Sequence, residues 1–338
     1  MGVIVNDAID DLLRRTSRSF YLSLGTLPDQ IRNQVGLLYL LARVADTIAD
    51  TGENPELLIG MLDKYSEAVQ GNSDDIDLNS IADLQENHDE GALLRSVSDV
   101  ISAYVCAEEG DRAMILRCLL VIISGQRLDI ERFGTKSSEI KSLESDKELD
   151  DYAYRVAGSV GEFWTEISLH RLIESGALDA ERMLDLGIRF GKALQMINIL
   201  RDIPSDLSIG RCYIPKDRLS ECGLSPSDLL NPDSMGSFRA LYSAYLDLTC
   251  EHLDYAEEYI SIIPRKYRSL RLSCLLPVVI GRRTIALLRD KNVLNPGKPI
   301  KIGRRSIGLI LFQCKLAVRS EWYEKRLISS GRIFSTGE

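Results

Sequence analysis

An apolar run, 191-GKALQMINILRDIPSD-206, is interrupted by Gln195, Asn198, Asp202 and Asp206, and Arg211 and Tyr213 follow at once in 211-RCYIP-215. Polar groups on a core helix are costly unless something binds them. Spacings of three and four residues put the four side chains on one helical face. A second acidic pair lies in 37-LLYLLARVADTIAD-50, where Asp46 and Asp50 are four residues apart with Arg43 and Tyr39 near their face. Side-by-side carboxylates in such apolar surroundings repel each other, and a divalent cation relieves the repulsion. Carboxylate oxygens suit magnesium, which prefers a few such ligands completed by substrate phosphates. Two acidic sets in apolar helices, facing each other, would therefore hold a diphosphate through several magnesium ions.

Both sets also have an ordinary structural reading. Asp46 and Asp50 could be a solvated i,i+4 pair. Asp202 and Asp206, with Arg201 and Arg211 close in sequence, could be salt bridges capping a helix end. Pro204 bears on this. A proline cannot sit unstrained deep inside a helix, so the helix is expected to kink or end near Asp202, with Asp206 on the following turn.

The elements that must position these residues read as helices nearly throughout. Segments such as 33–50, 111–133 and 238–263 repeat apolar residues at three- and four-residue spacing, and no stretch alternates convincingly with period two. Two polar stretches, 71–92 and 134–149, read as loops, the first with room for one short helix. No repeat period appears. The expected architecture is one all-α domain spanning residues 1–338.

The net charge of −9 argues against a general nucleic-acid binder. Seven cysteines without a CxxC pair suggest reduced core thiols and a cytoplasmic setting. Three widely separated histidines give no zinc site. The first twenty residues do not read as a signal peptide, and no apolar run reaches the roughly 18 residues of a membrane span.

Five blocks together resemble the squalene and phytoene synthases, head-to-head prenyltransferases: 16-TSRSF-20, 43-RVADTIAD-50, 152-YAYRVAGSVG-161, 195-QMINILRDIPSD-206 with 211-RCYIP-215, and 271-RLSCLLP-277. The resemblance covers roughly 16 to 315 and is most specific in the second acidic block. It implies a single-domain, all-α class I isoprenoid synthase helical bundle with a central active-site cavity. It implies that Asp46, Asp50, Asn198, Asp202 and Asp206 hold magnesium, with Gln195 beside them. Arg18, Arg43, Arg201 and Arg211 would hold diphosphate oxygens, for which guanidinium forks are suited. Ser17, Ser19 and Phe20 match an N-terminal pocket, and Tyr152 matches a tyrosine implicated in proton transfer. Val156, Gly158, Val160 and Gly161 match a helix with a small-residue wall, and Tyr213 belongs to the substrate side. Lys301 and Arg304, in 298-KPIKIGRR-305, correspond more loosely to basic residues that contact NADPH in members that use it. Each block also has a bland reading: VAGSVG as close helix packing, Tyr152 as a core tyrosine, KPIKIGRR as a solvated basic loop.

The activity this implies is squalene synthesis from two farnesyl diphosphates through presqualene diphosphate, with NADPH as reductant. Dehydrosqualene, phytoene from geranylgeranyl diphosphate, and arrest at presqualene diphosphate are alternatives on the same fold. A non-catalytic helical adaptor is a reading from another class. A terpene cyclase is a third, against which the Arg-x-aromatic-x-Pro element stands. A monomer with peripheral membrane contact is expected, the latter because squalene is insoluble in water.

Overall fold

A computed structural model describes residues 6–333 except 18–20, 22–23, 52–53, 74–75, 135–138, 296 and 298–299. The helices gather into two units, Met1–Lys136 with Glu162–Ala180, and Ser137–Gly161 with Glu181–Glu338.

The first unit contains α1 (Asp7–Ser17), α2 (Asp29–Ala49), α3 (Pro55–Val69), α4 (Asn79–Ala82), α5 (His88–Arg95), α6 (Val97–Val105) and α7 (Glu109–Phe133). Its centre is α2 packed along α7. Ile31, Val35, Leu38, Leu41, Val44 and Ile48 are buried, as the apolar spacing requires. α3 starts where its residues dictate: Pro55 occupies the first turn and the Asn54 side chain accepts from the Leu57 amide. The N-terminal turn of α7 is fixed by Asp111, which is buried and accepts from both Gln34 and Arg171.

The second unit begins with β1 (Lys141–Ser142) and α8 (Asp146–Ala153). A π-helical turn, Tyr154–Gly158, leads from α8 into α9 (Ser159–Arg171), whose residues from Glu162 onward belong to the first unit. Then follow α10 (Ala180–Leu207), β2 (Arg211–Cys212), α11 (Lys216–Glu221), two 3₁₀ turns, α12 (Met235–Ile262), α13 (Arg268–Asp290), α14 (Arg304–Ala317) and α15 (Glu321–Ile333). α13 packs against α12, α14 and α15. The anchor there is Arg271, 2% exposed, which donates to the Ile260 and Ile263 carbonyls and pairs with Glu324 of α15. One guanidinium thus satisfies the C-terminal carbonyls of α12 and fixes α15.

The stretch 134–149, expected as a polar loop, is partly regular. β1 pairs in parallel with β2, Lys141 opposite Arg211 and Ser142 opposite Cys212. Leu143 is fully buried beside them, and α8 begins at Asp146. The polar composition hid a two-residue ladder that Leu143 anchors. In the stretch 71–92 the described residues include α4 and the start of α5, joined by turns and irregular chain. Among the described residues no helix is long and apolar enough to cross a membrane.

Candidate functional site

In the first unit, Asp46 lies in the last turns of α2, half-buried. Its two carboxylate oxygens accept from different partners, one from Gln126 of α7 at 2.7 Å and one from Arg43 at 2.7 Å. Arg43 also pairs with Glu90 of α5. Burial pushes the Asp46 carboxyl above the usual carboxylate range, while Arg43 and Gln126 beside it pull the other way. Asp50 is exposed one turn on, at the helix end, where its amide donates to the Asp46 carbonyl. Sequence reasoning missed Gln126 and Glu90. The signal for Gln126 was available: it is a polar residue inside the apolar run 119-LLVIISGQRLDI-130, as Gln195 is in its own helix.

In the second unit, α10 carries Gln195, Asn198, Asp202 and Asp206. The expected break at Pro204 does not occur, and the helix runs on to Leu207. Pro204 lacks the amide that would donate to the Leu200 carbonyl. That carbonyl instead accepts from the buried Tyr242 hydroxyl of α12 at 3.0 Å. The helix therefore stays regular through the acidic residues, and all four side chains project within about 80° of one another at 100° per residue. Asp206 is a member of the helix, not of a following turn. Arg201 clasps its own neighbour: Nε and Nη2 donate to the two Asp202 oxygens at 2.8 and 2.5 Å.

The chain then turns at Gly210, whose φ of 82° favours glycine, and enters β2. The ladder with β1 holds Arg211, and Asp206, Arg211 and Tyr213 come together around one small pocket with Ile199, Ile203 and Cys212. Burial raises the Cys212 thiol to about 12, so it stays protonated in that wall. Tyr213 stacks on Tyr152, with ring centroids 4.6 Å apart and planes 23° apart. Both tyrosines are buried. Two residues singled out separately in the sequence are thus one aromatic pair between α8 and the segment after β2.

The small-residue block has a packing role. A Cβ on Gly161 would stand 1.9 Å from the Gly187 carbonyl oxygen, and one on Gly191 would stand 2.1 Å from that of Ala157. The helix after Tyr152 and α10 meet backbone to backbone. Val156 is half-buried and Val160 exposed.

Other candidates stand apart or lie outside the described residues. The Ser17 hydroxyl donates to the Leu13 carbonyl of its own helix. Arg18, Ser19 and Phe20 lie outside the described residues. Lys301 is exposed, and Arg304 opens α14 with its side chain outside the described set. Among the described residues no three His, Cys, Asp or Glu side chains converge to hold a metal alone. Each acidic set offers hard oxygen donors, too few to close a coordination sphere, and this suits magnesium that also binds phosphate.

Known structures share this fold. The fold matches a structure of TcSQS with the ligand E5700 at a TM-score of 0.76, 19% identity and 95% coverage of both chains. It matches a dehydrosqualene synthase at 0.65, 21% identity, covering 93% of this chain and 96% of that one. It matches the squalene synthase HpnC from Alicyclobacillus acidocaldarius at 0.61, 20% identity, covering 85% and 93%. The architecture is the all-α isoprenoid synthase fold. Residues 13–305 match the squalene/phytoene synthase family, and the chain belongs to that family. Similar relatives include the bifunctional lycopene cyclase/phytoene synthases of Phaeosphaeria nodorum, 31% identical over 301 residues, and of Gibberella fujikuroi, 29% over 309. The alignments cover 87% and 88% of this chain, which spans about half the length of these relatives (47% and 48%).

Proposed function

We propose that the chain is a magnesium-dependent prenyltransferase that joins two farnesyl diphosphates head to head and, with NADPH, releases squalene. What most supports this is the uninterrupted face Gln195–Asn198–Asp202–Asp206, with Arg211 and Tyr213 folded back beside Asp206.

Asp46 and Asp50, and likewise Asn198, Asp202 and Asp206, would hold magnesium, which would make a diphosphate a good leaving group. Arg43 and Arg201, now paired with Asp46 and Asp202, would turn to diphosphate oxygens as those carboxylates take up the metal. C–O ionisation leaves an allylic cation. The double bond of the second substrate attacks it, and loss of a proton closes a cyclopropane. Tyr152 is the proposed route for that proton, held in place by its stack on Tyr213. Apolar walls keep water from quenching the cations. Lys301 and Arg304 would hold the nicotinamide cofactor, which would supply the hydride that gives squalene. The proposed working form is a cytoplasmic monomer with peripheral membrane contact.

A second reading is phytoene synthesis from two geranylgeranyl diphosphates without a reductant. The identity to the fungal phytoene synthase relatives favours it. The deciding experiment incubates the purified chain and magnesium with either diphosphate, with and without NADPH, and identifies the hydrocarbon. Squalene formed from farnesyl diphosphate only with NADPH supports the first reading. Phytoene from the longer substrate, whatever the reductant, replaces it.

A further inference from the structure

α14 has two faces, and only one is used by the fold. Ile310, Cys314 and Ala317 are buried against the rest of the second unit. On the opposite side Leu309, Phe312 and Leu316 form an i, i+3, i+7 stripe that is 56%, 59% and 41% exposed. Soluble surfaces tolerate single exposed apolar residues, but a continuous stripe needs an explanation. Trp322 adds a further exposed ring just beyond, 67% exposed, at the start of α15.

The charges around the stripe point to its occupant. Arg305 precedes it on the same face, and Lys315 and Arg319 close its other end, all exposed. Among the described residues no carboxylate pairs with these three, whereas the nearby acids are engaged: Glu321 with Lys325 and Glu324 with Arg271. Residues 298–326 contain eight basic and two acidic residues, in a chain of net charge −9. A basic, apolar helical face on an otherwise acidic protein complements an anionic surface with an apolar interior.

We propose that the outer face of α14 docks on an anionic lipid surface, with Leu309, Phe312 and Leu316 entering the acyl boundary and Arg305, Lys315 and Arg319 at the headgroups. The helix is amphipathic and too short to span, so it lies in the interface plane. The proposal gives the peripheral contact a location and does not depend on which prenyl diphosphate is the substrate.

The test is cosedimentation of the full chain, without substrate, with phosphatidylcholine vesicles containing or lacking phosphatidylglycerol. Binding is expected only to the anionic vesicles, and weaker in high salt. The double variant Leu309→Ser/Phe312→Ser is expected to bind about tenfold or more weakly, since each side chain contributes the burial of a large apolar group. Lys315→Glu/Arg319→Glu should lose binding to a similar degree. Both variants change exposed positions, so unchanged melting temperature and unchanged activity on detergent-dispersed substrate are the controls. No binding by the wild-type chain, equal binding to both vesicle types, or full binding by either variant would overturn the proposal. So would a wild-type dimer that the Leu309→Ser/Phe312→Ser change splits, which would make a second copy the occupant.

Discussion

The hydroxyl of Tyr242 donates to the carbonyl oxygen of Leu200 at 3.0 Å, in the place of the amide that Pro204 does not have. This contact lets α10 carry its acidic face across a proline. Tyr242→Phe would leave a buried carbonyl unpartnered, at a cost of about 1–3 kcal/mol in urea unfolding. Pro204→Ala returns an amide to that carbonyl. The Tyr242→Phe/Pro204→Ala double variant should therefore recover most of the loss. Additive costs, with no recovery, would show that the hydroxyl serves something other than the missing amide.

Each acidic set is expected to be indispensable by itself. Asp46→Asn and Asp202→Asn each remove one negative charge while keeping shape, and each should lower turnover by about 100-fold or more, the scale seen when one preorganised electrostatic contact is lost. A second readout is thermal stabilisation by magnesium with inorganic pyrophosphate, which the wild-type chain should show and each variant should lose or weaken. If both variants keep full activity and full stabilisation, the acids are structural and other residues carry the chemistry; a wild-type chain with neither turnover nor stabilisation would favour the helical adaptor.

Gly161→Ala tests the backbone contact between the helix after Tyr152 and α10. The added methyl would overlap the Gly187 carbonyl oxygen, and backbone cannot rotate away as a side chain can. Overpacking of this kind costs about 1–3 kcal/mol, more where backbone must move. Gly236→Ala is the control, since nothing lies within 4 Å of a Cβ there. Equal melting temperatures for the two variants would mean that the helices separate freely at this point.

What was legible in the sequence follows the range of the forces involved. The helical class and the acidic faces depend on spacing within one element, and apolar periodicity displays them directly. The continuation of α10 past Pro204 was not legible, because the compensating group lies 42 residues from Leu200. Nor was the burial of Arg271: it stands in a block that carries the family resemblance, yet its partners are carbonyls at the end of another helix and a glutamate 53 residues on. The small residues of VAGSVG were visible as a pattern, but whether they line a substrate or a helix is decided by what lies opposite, which for Gly161 is Gly187. Arg18, Ser19 and Phe20 remain expectations drawn from the resemblance alone.

Arg271 offers a direct measure of how much the end of the second unit depends on one charge. Replacement by methionine keeps the stem but leaves the buried Glu324 only the longer pair with Arg265, at 3.9 Å, and frees two helix-terminal carbonyls. Breaking one side of a buried pair costs about 3–5 kcal/mol. Arg271→Met/Glu324→Gln removes both charges and should recover part of that cost, because no lone buried charge remains. A single variant as stable as wild type would mean that Arg265 takes over the pairing of Glu324.

Acid sensitivity should have one identifiable source in α12. His252 is half-buried, its Nδ1 is buried without a hydrogen-bond partner among the described residues, and its pKa is lowered, first by burial and then by Arg189 and Lys192 nearby. Asp150 and Glu251 act in the opposite sense without reversing the shift. A lowered folded-state value means that the unfolded chain binds the proton more readily. Stability is then full above the unfolded value of about 6.5 and declines as pH falls from there through the folded value. Melting temperatures recorded from about pH 7.5 down to about pH 5.5 should fall more steeply for the wild-type chain than for His252→Asn, which has no proton to take up. Parallel curves would place the acid sensitivity elsewhere, in the carboxylates that both proteins share.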